Sequence, residues 1–157
     1  MKHKALFGVA VVSIVAYGAW NLGGESPPDA NNLALDRVWI DHMPKHDRDT
    51  IQVFVAITEQ PFGMFQATSQ WKGSFELFRY ESHGNEIRIL YGQTGEREKV
   101  KARAKQCSER DFDYCLDLDG ASRGVKHYFS REGWEIDGGS SLEHLKARID
   151  AIVKSEL

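Results

Sequence analysis

Between Arg97 and Asp119 the chain keeps a strict two-residue repeat, and no other feature limits its fold as tightly. Arg97, Lys99, Lys101, Arg103 and Lys105 are cations at alternate positions, with Val100, Ala102 and Ala104 among the residues between them. The next run mirrors the pattern. Phe112, Tyr114, Leu116 and Leu118 share one parity, and Asp113, Cys115, Asp117 and Asp119 share the other. At helical spacing the small apolar residues of the first run form no useful stripe; as strands, both runs have one apolar and one polar face. Two such strands in succession predict an antiparallel hairpin.

The only two cysteines, Cys107 and Cys115, fall in this hairpin. Placing them directly opposite each other sets Lys105 against Asp117 and Arg103 against Asp119 on one face. Ala104 then meets Leu118, and Gln106 meets Leu116, on the other. Opposed residues lie about 4.5–5.5 Å apart at Cα, within reach of a disulfide, so a structural Cys107–Cys115 bond is predicted. A redox centre would need a CxxC spacing, and a four-ligand metal site would need ligands that the sequence does not cluster. Read as a calcium loop, Asp117-Leu118-Asp119-Gly120 puts Cys115 at the first ligand position and Lys126 at the last, where a carboxylate is required. The charged rows read as a solvated face.

The same logic extends outward from the hairpin. From Leu33 to Ile136, short apolar or alternating runs are separated by turn residues, which predicts an all-β domain. The expected strands are Asp36 to His42, Thr50 to Thr58, Phe62 to Trp71, Ser74 to Glu81, Glu86 to Gly92, Arg97 to Cys107, Phe112 to Asp119 and Gly124 to Ser130, with a short piece from Trp134 to Ile136. Ile51, Val53, Val55 and Ile57 put four β-branched side chains on one face of the second run, which marks that face as core. Trp71-Lys72-Gly73-Ser74 predicts a two-residue hairpin loop, with Phe65 facing Tyr80, Ala67 facing Phe78 and Gln66 facing Arg79.

Residues 141–156 predict one amphipathic helix. Ser140 and Glu143 have capping-box spacing, and Leu142, Leu145, Ile149, Ile152 and Val153 fall on one stripe, expected to dock on the sheet over Phe75 and Leu77. An antiparallel meander of about eight strands followed by such a helix is similar in layout to lipocalin-like barrels.

The N-terminus has a different character. Lys2, His3 and Lys4 precede a run from Ala5 to Trp20 that is apolar, and no further charge occurs until Glu25. This predicts a signal peptide or signal-anchor helix in residues 1–24, a linker in 25–32, and an extracytoplasmic domain in 33–157. The domain would be periplasmic or secreted, anchored in the cytoplasmic membrane through residues 5–24 if these are not cleaved. The disulfide agrees with export, since oxidising compartments preserve such bonds. With 41% hydrophobic residues in a chain of 157, one ordinary core is affordable, and a formal net charge of −3 gives no general pull toward nucleic acid.

No GxSxG, phosphate loop, HExxH or spaced carboxylate pair is present, so no catalytic residue and no cofactor is predicted. Asp41, His42, His46, Asp47 and Asp49 crowd one segment, but Pro44 between the histidines makes it a polar loop and not a metal site. Large side chains expected to face inward are Phe65, Trp71, Phe78 and Tyr80. The candidate ligand-binding residues are Phe65, Phe78, Tyr80 and Tyr128, with His127, in phase with Val125 and Phe129, as an inward polar group. The first functional expectation is a non-enzymatic envelope domain that holds an apolar or amphipathic small molecule inside its barrel. The alternative is an interaction module of an envelope protein assembly, and an undetected hydrolase ranks third.

Overall fold

A computed structural model describes residues 33–69 and 72–156. The expectations for residues 1–32, and for Trp71, lie outside the described residues. The chain runs through β1 (Trp39–Ile40), β2 (Ile51–Ile57), β3 (Phe62–Thr68), β4 (Gly73–His83), β5 (Glu86–Tyr91), β6 (Arg97–Glu109), β7 (Phe112–Asp119) and β8 (His127–Ser130), then one helix, α1 (Leu142–Ser155). Each strand is antiparallel to the next, and β8 returns to β1 through Ile40 and Phe129, so the sheet is ring-like. The all-β domain with its C-terminal helix is as expected. The stretch Trp134 to Ile136 contributes only an isolated bridge, between Arg37 and Glu135.

Two cores result, one on each side of β2. Inside the ring lie Trp39, Phe54, Phe65, Phe78, Tyr80, Ile87, Ile89, Tyr91, Leu116, Leu118 and Tyr128, among others. On the outer face, Ile51, Val53, Val55 and Ile57 pack with Met64, Phe112, Phe129, Trp134 and the helix residues Leu145, Ile149, Ile152 and Val153. The four β-branched residues are therefore core, but the core they serve is the one beneath α1. The other face of the strand, with Phe54 and Ala56, is buried too.

Helix α1 begins one residue later than the capping-box spacing suggested. Ser141 is its N-cap, and the Ser141 hydroxyl accepts from the His144 N–H at 3.3 Å. Its stripe covers β1–β3 and β8, with Leu77 at the margin and Lys146 Nζ 3.7 Å above the Phe75 ring. Thus the docking expected over Phe75 and Leu77 is seen at the rim of a larger contact.

Two registers differ from the sequence reading. Phe65 pairs with Glu76 and Ala67 with Ser74, so the β3–β4 ladder is offset by four residues from the expected one. The ladder ends at Thr68 and Gly73, and the longer loop is closed by Ser69 N–H donating to Lys72 O at 2.7 Å. In the β6–β7 hairpin Lys105, not Cys107, lies opposite Cys115, while Arg103 faces Asp117 and Lys101 faces Asp119. An irregularity between Gln106 and Glu109 restores the reach, and Cys107 and Cys115 are disulfide-bonded with Cα atoms 5.8 Å apart. The turn is Arg110-Asp111, both at positive φ, as a two-residue hairpin loop of the primed kind requires.

Candidate functional site

Four of the five candidate ligand residues meet inside the ring. Phe65 and Phe78 have ring centroids 5.3 Å apart, Phe78 and Tyr80 are 6.3 Å apart, and Phe54 bridges Phe65 at 5.2 Å and Tyr128 at 5.9 Å. These are ordinary packing distances for aromatic pairs in a filled interior. The phenols are spoken for as well: Tyr80 donates to Ile57 O at 2.8 Å, and Tyr128 accepts from Val125 N–H at 3.0 Å. Burial pushes both hydroxyls well above the ordinary tyrosine range.

Residues from both ends of the ring pack against the inner cluster. Ala34 and Leu35, which precede β1, belong to the inner core, and Trp39 donates its indole N–H to Ala34 O at 3.0 Å. At the other end the β7–β8 connection sets Ala121 and Val125 against the core. Gly124 has a positive φ, and a Cβ there would lie 2.0 Å from the Tyr128 hydroxyl and 2.9 Å from Phe65, so only glycine lets the backbone come this close. Arg123 holds this connection to β4 and to the β5–β6 turn, pairing with Glu76 at 2.8 Å and with Glu96, and lying 4.7 Å above the Tyr91 ring. Burial, then the bond to Glu98, raises the Tyr91 phenol.

His127 does not join this group. Its side chain is 73% exposed on the outer face and meets Asp117 at 2.6 Å. The expected inward orientation fails because β8 alternates in phase with Tyr128, which is fully buried inside. Phe129, on the same face as His127, is buried too, but in the outer cluster beneath α1, so an apolar residue in phase did not mark the inward face.

The polar segment before β2 is a self-contained loop. His42 lies between Asp41 at 2.9 Å and Asp49 at 3.3 Å, and the Lys45 N–H holds the Asp49 carboxyl below its ordinary range. Among the described residues no group of histidine, cysteine and carboxylate side chains is arranged to hold a metal ion.

The outer face opposite α1 was not singled out by the sequence reading beyond its charge. It carries an open groove of about 670 Å³ across β4, β5 and β6, bounded by Pro61 and lined also by Tyr80 and Ile89, which belong to the inner core. Register builds it: Arg79, Leu90 and Arg97 lie side by side on the three strands, and Glu81, Arg88 and Lys99 form the next row. Glu98, also at the groove, bonds Tyr91 and the Ser122 N–H, so its charge is committed elsewhere. Glu86 pairs with Arg88 at 3.0 Å, and that bond lowers the Glu86 carboxyl. Arg79, Arg97 and Lys99 make no ion pair within 4 Å among the described residues. No family model, no curated protein and no solved structure matches the chain.

Proposed function

We propose that this is an exported or membrane-anchored cell-envelope domain, non-enzymatic, whose outer surface serves as an interaction module. In this reading the ring is a small barrel of lipocalin-like layout, supported by its unbroken succession of antiparallel neighbours. It is solid, and the packed interior is the observation that carries the proposal. A ligand seated inside would have to displace Phe54, Phe65, Phe78 or Tyr128, each at most 5% exposed and each in contact with another aromatic ring. A small-molecule carrier needs hundreds of cubic ångströms of preformed space, on the order of 300–1,000 Å³. The groove at β4–β6 is lined mainly by outward-facing side chains of those strands, Arg79, Glu81, Arg88, Leu90, Arg97 and Lys99.

Export rests on the basic start followed by the uncharged run, and on the disulfide. Residues 5–24 would tie the domain to the cytoplasmic membrane. Protease added to spheroplasts should digest the domain; protection until the inner membrane is lysed would contradict export. The outer-surface reading is tested on full chain purified under native conditions. Solvent extraction should release no stoichiometric apolar molecule, and an apolar fluorescent probe should gain no emission short of unfolding. Either signal would restore the carrier reading.

A further inference from the structure

We propose that the β4–β6 groove, with the cation row that continues along β6, is a docking site for an acidic, extended segment of a partner protein. The inference rests on the outer-surface reading and names the partner's chemistry. Four cations line the groove, Arg79, Arg88, Arg97 and Lys99, against the carboxylates Glu81 and Glu98. Glu98 is turned to Tyr91 and Ser122, Arg88 is paired with Glu86, and Glu81 remains exposed, which leaves Arg79, Arg97 and Lys99 against one open carboxylate. The face is therefore locally basic on a chain whose formal net charge is −3. Arg79 and Arg97 flank Leu90, one of the large apolar side chains that remain exposed. Planar guanidinium groups left without carboxylate partners suit bidentate carboxylate recognition.

Spacing selects an extended peptide. Arg97, Lys99 and Lys101 project from one face of β6 at alternate positions, a repeat of about 6.8 Å, with Lys101 standing opposite Glu86 and Asp119 at the end of the row. Alternate side chains of any extended peptide repeat at the same interval. A strand-like segment with acidic residues at every second position can therefore meet successive cations without bending, and Leu90 gives an intervening apolar contact. The ring leaves these three strands no free edge, since β4, β5 and β6 are paired on both sides. Docking must use side chains, which makes charge pattern the source of specificity.

The test uses the full chain in mild detergent and a labelled short peptide in which glutamate alternates with serine. A second peptide has the same composition with its glutamates contiguous. The alternating peptide should bind at low salt, several-fold tighter than the block peptide, and high salt should release it. The double variant R79E/R97E should weaken binding by about ten-fold or more. The double variant K45E/K126E, which changes the net charge equally but lies outside the groove, should weaken it less than about two-fold. Unchanged unfolding midpoints would show that both variants fold.

Failure of the alternating peptide to bind, or equal loss in the two variants, would overturn the proposal. Equal affinity for the two peptides would overturn the spacing argument. Groove-dependent binding of anionic phospholipid vesicles or of a single-stranded oligonucleotide, with none of the peptide, would replace it with a different partner. None of these outcomes touches the filled interior. Conversely, an apolar ligand recovered from inside would overturn the outer-surface reading whatever the peptides do.

Discussion

Cys107 bridges Cys115 although its strand neighbour Lys105 occupies the opposed position, because the ladder becomes irregular between Gln106 and Glu109. The pairing was legible from composition and alternation. The register was not, since it is set by a turn of two non-glycine residues, Arg110 and Asp111, at positive φ. Replacing both cysteines by serine should cost roughly 2–3 kcal/mol in the chain-entropy account of so short a loop, read as a lower unfolding midpoint. Unreduced, denatured protein should show no free thiol, and chelator should leave the midpoint unchanged. Gly63 carries a demand of another kind, for space. A Cβ there would sit 2.3 Å from the Phe78 ring and 2.5 Å from Val55 O, so Gly63→Ala should destabilise by about 1–3 kcal/mol, measured by denaturant unfolding. At Asp49 the Lys45 N–H depresses the folded pKa below the ordinary 3.8. Its stabilising share is present above that value and is lost as pH falls through the lower folded one. The acid limb of the stability curve should therefore be shallower in Asp49→Asn, whereas an unchanged limb would mean that the loop contributes nothing.

At the scale of elements, α1 and β2 define each other. The helical stripe and the four β-branched residues of β2 were both visible in sequence, each as an apolar face in need of a partner. Sequence could not say that they were partners, because a strand with Phe54 and Ala56 on its second face is buried on both sides and presents two equally good candidates for the ring interior. Ile149 is fully buried against this outer cluster. Ile149→Ala should lower stability by about 2–4 kcal/mol, while the exposed Asp150→Ala should change it by less than about 0.5 kcal/mol. Similar small losses at both positions would mean that the helix is not docked. The β3–β4 register escaped the sequence reading for a local reason. Lys72-Gly73 resembles a tight loop, yet Gly73 is already paired with Thr68, and the turn is closed one step earlier through Ser69.

Across the whole molecule, the outer surface of the ring divides into two halves of opposite character. One half, over β1–β3 and β8, is apolar and sealed by α1; the other, over β4–β6, is charged and open. Alternation foretold a charged face, but the groove arises from rows that combine three strands, and no single run contains it. Four of the five candidate ligand residues face the interior and His127 faces out, and the inward rings stand at packing distance from one another, a property of mutual distances that alternation along single strands does not carry. The account turns on that interior being a packed core, and denaturant unfolding of Phe78→Ala in the full chain, followed by tryptophan fluorescence, tests it most directly. Phe78 is 2% exposed and touches Phe54, Phe65, Tyr80 and Tyr91. A solid interior predicts a loss of about 3–5 kcal/mol, because truncation leaves a cavity that its neighbours cannot close. A loss below about 1 kcal/mol would mean that space already exists beside the Phe78 side chain, and would contradict a packed interior.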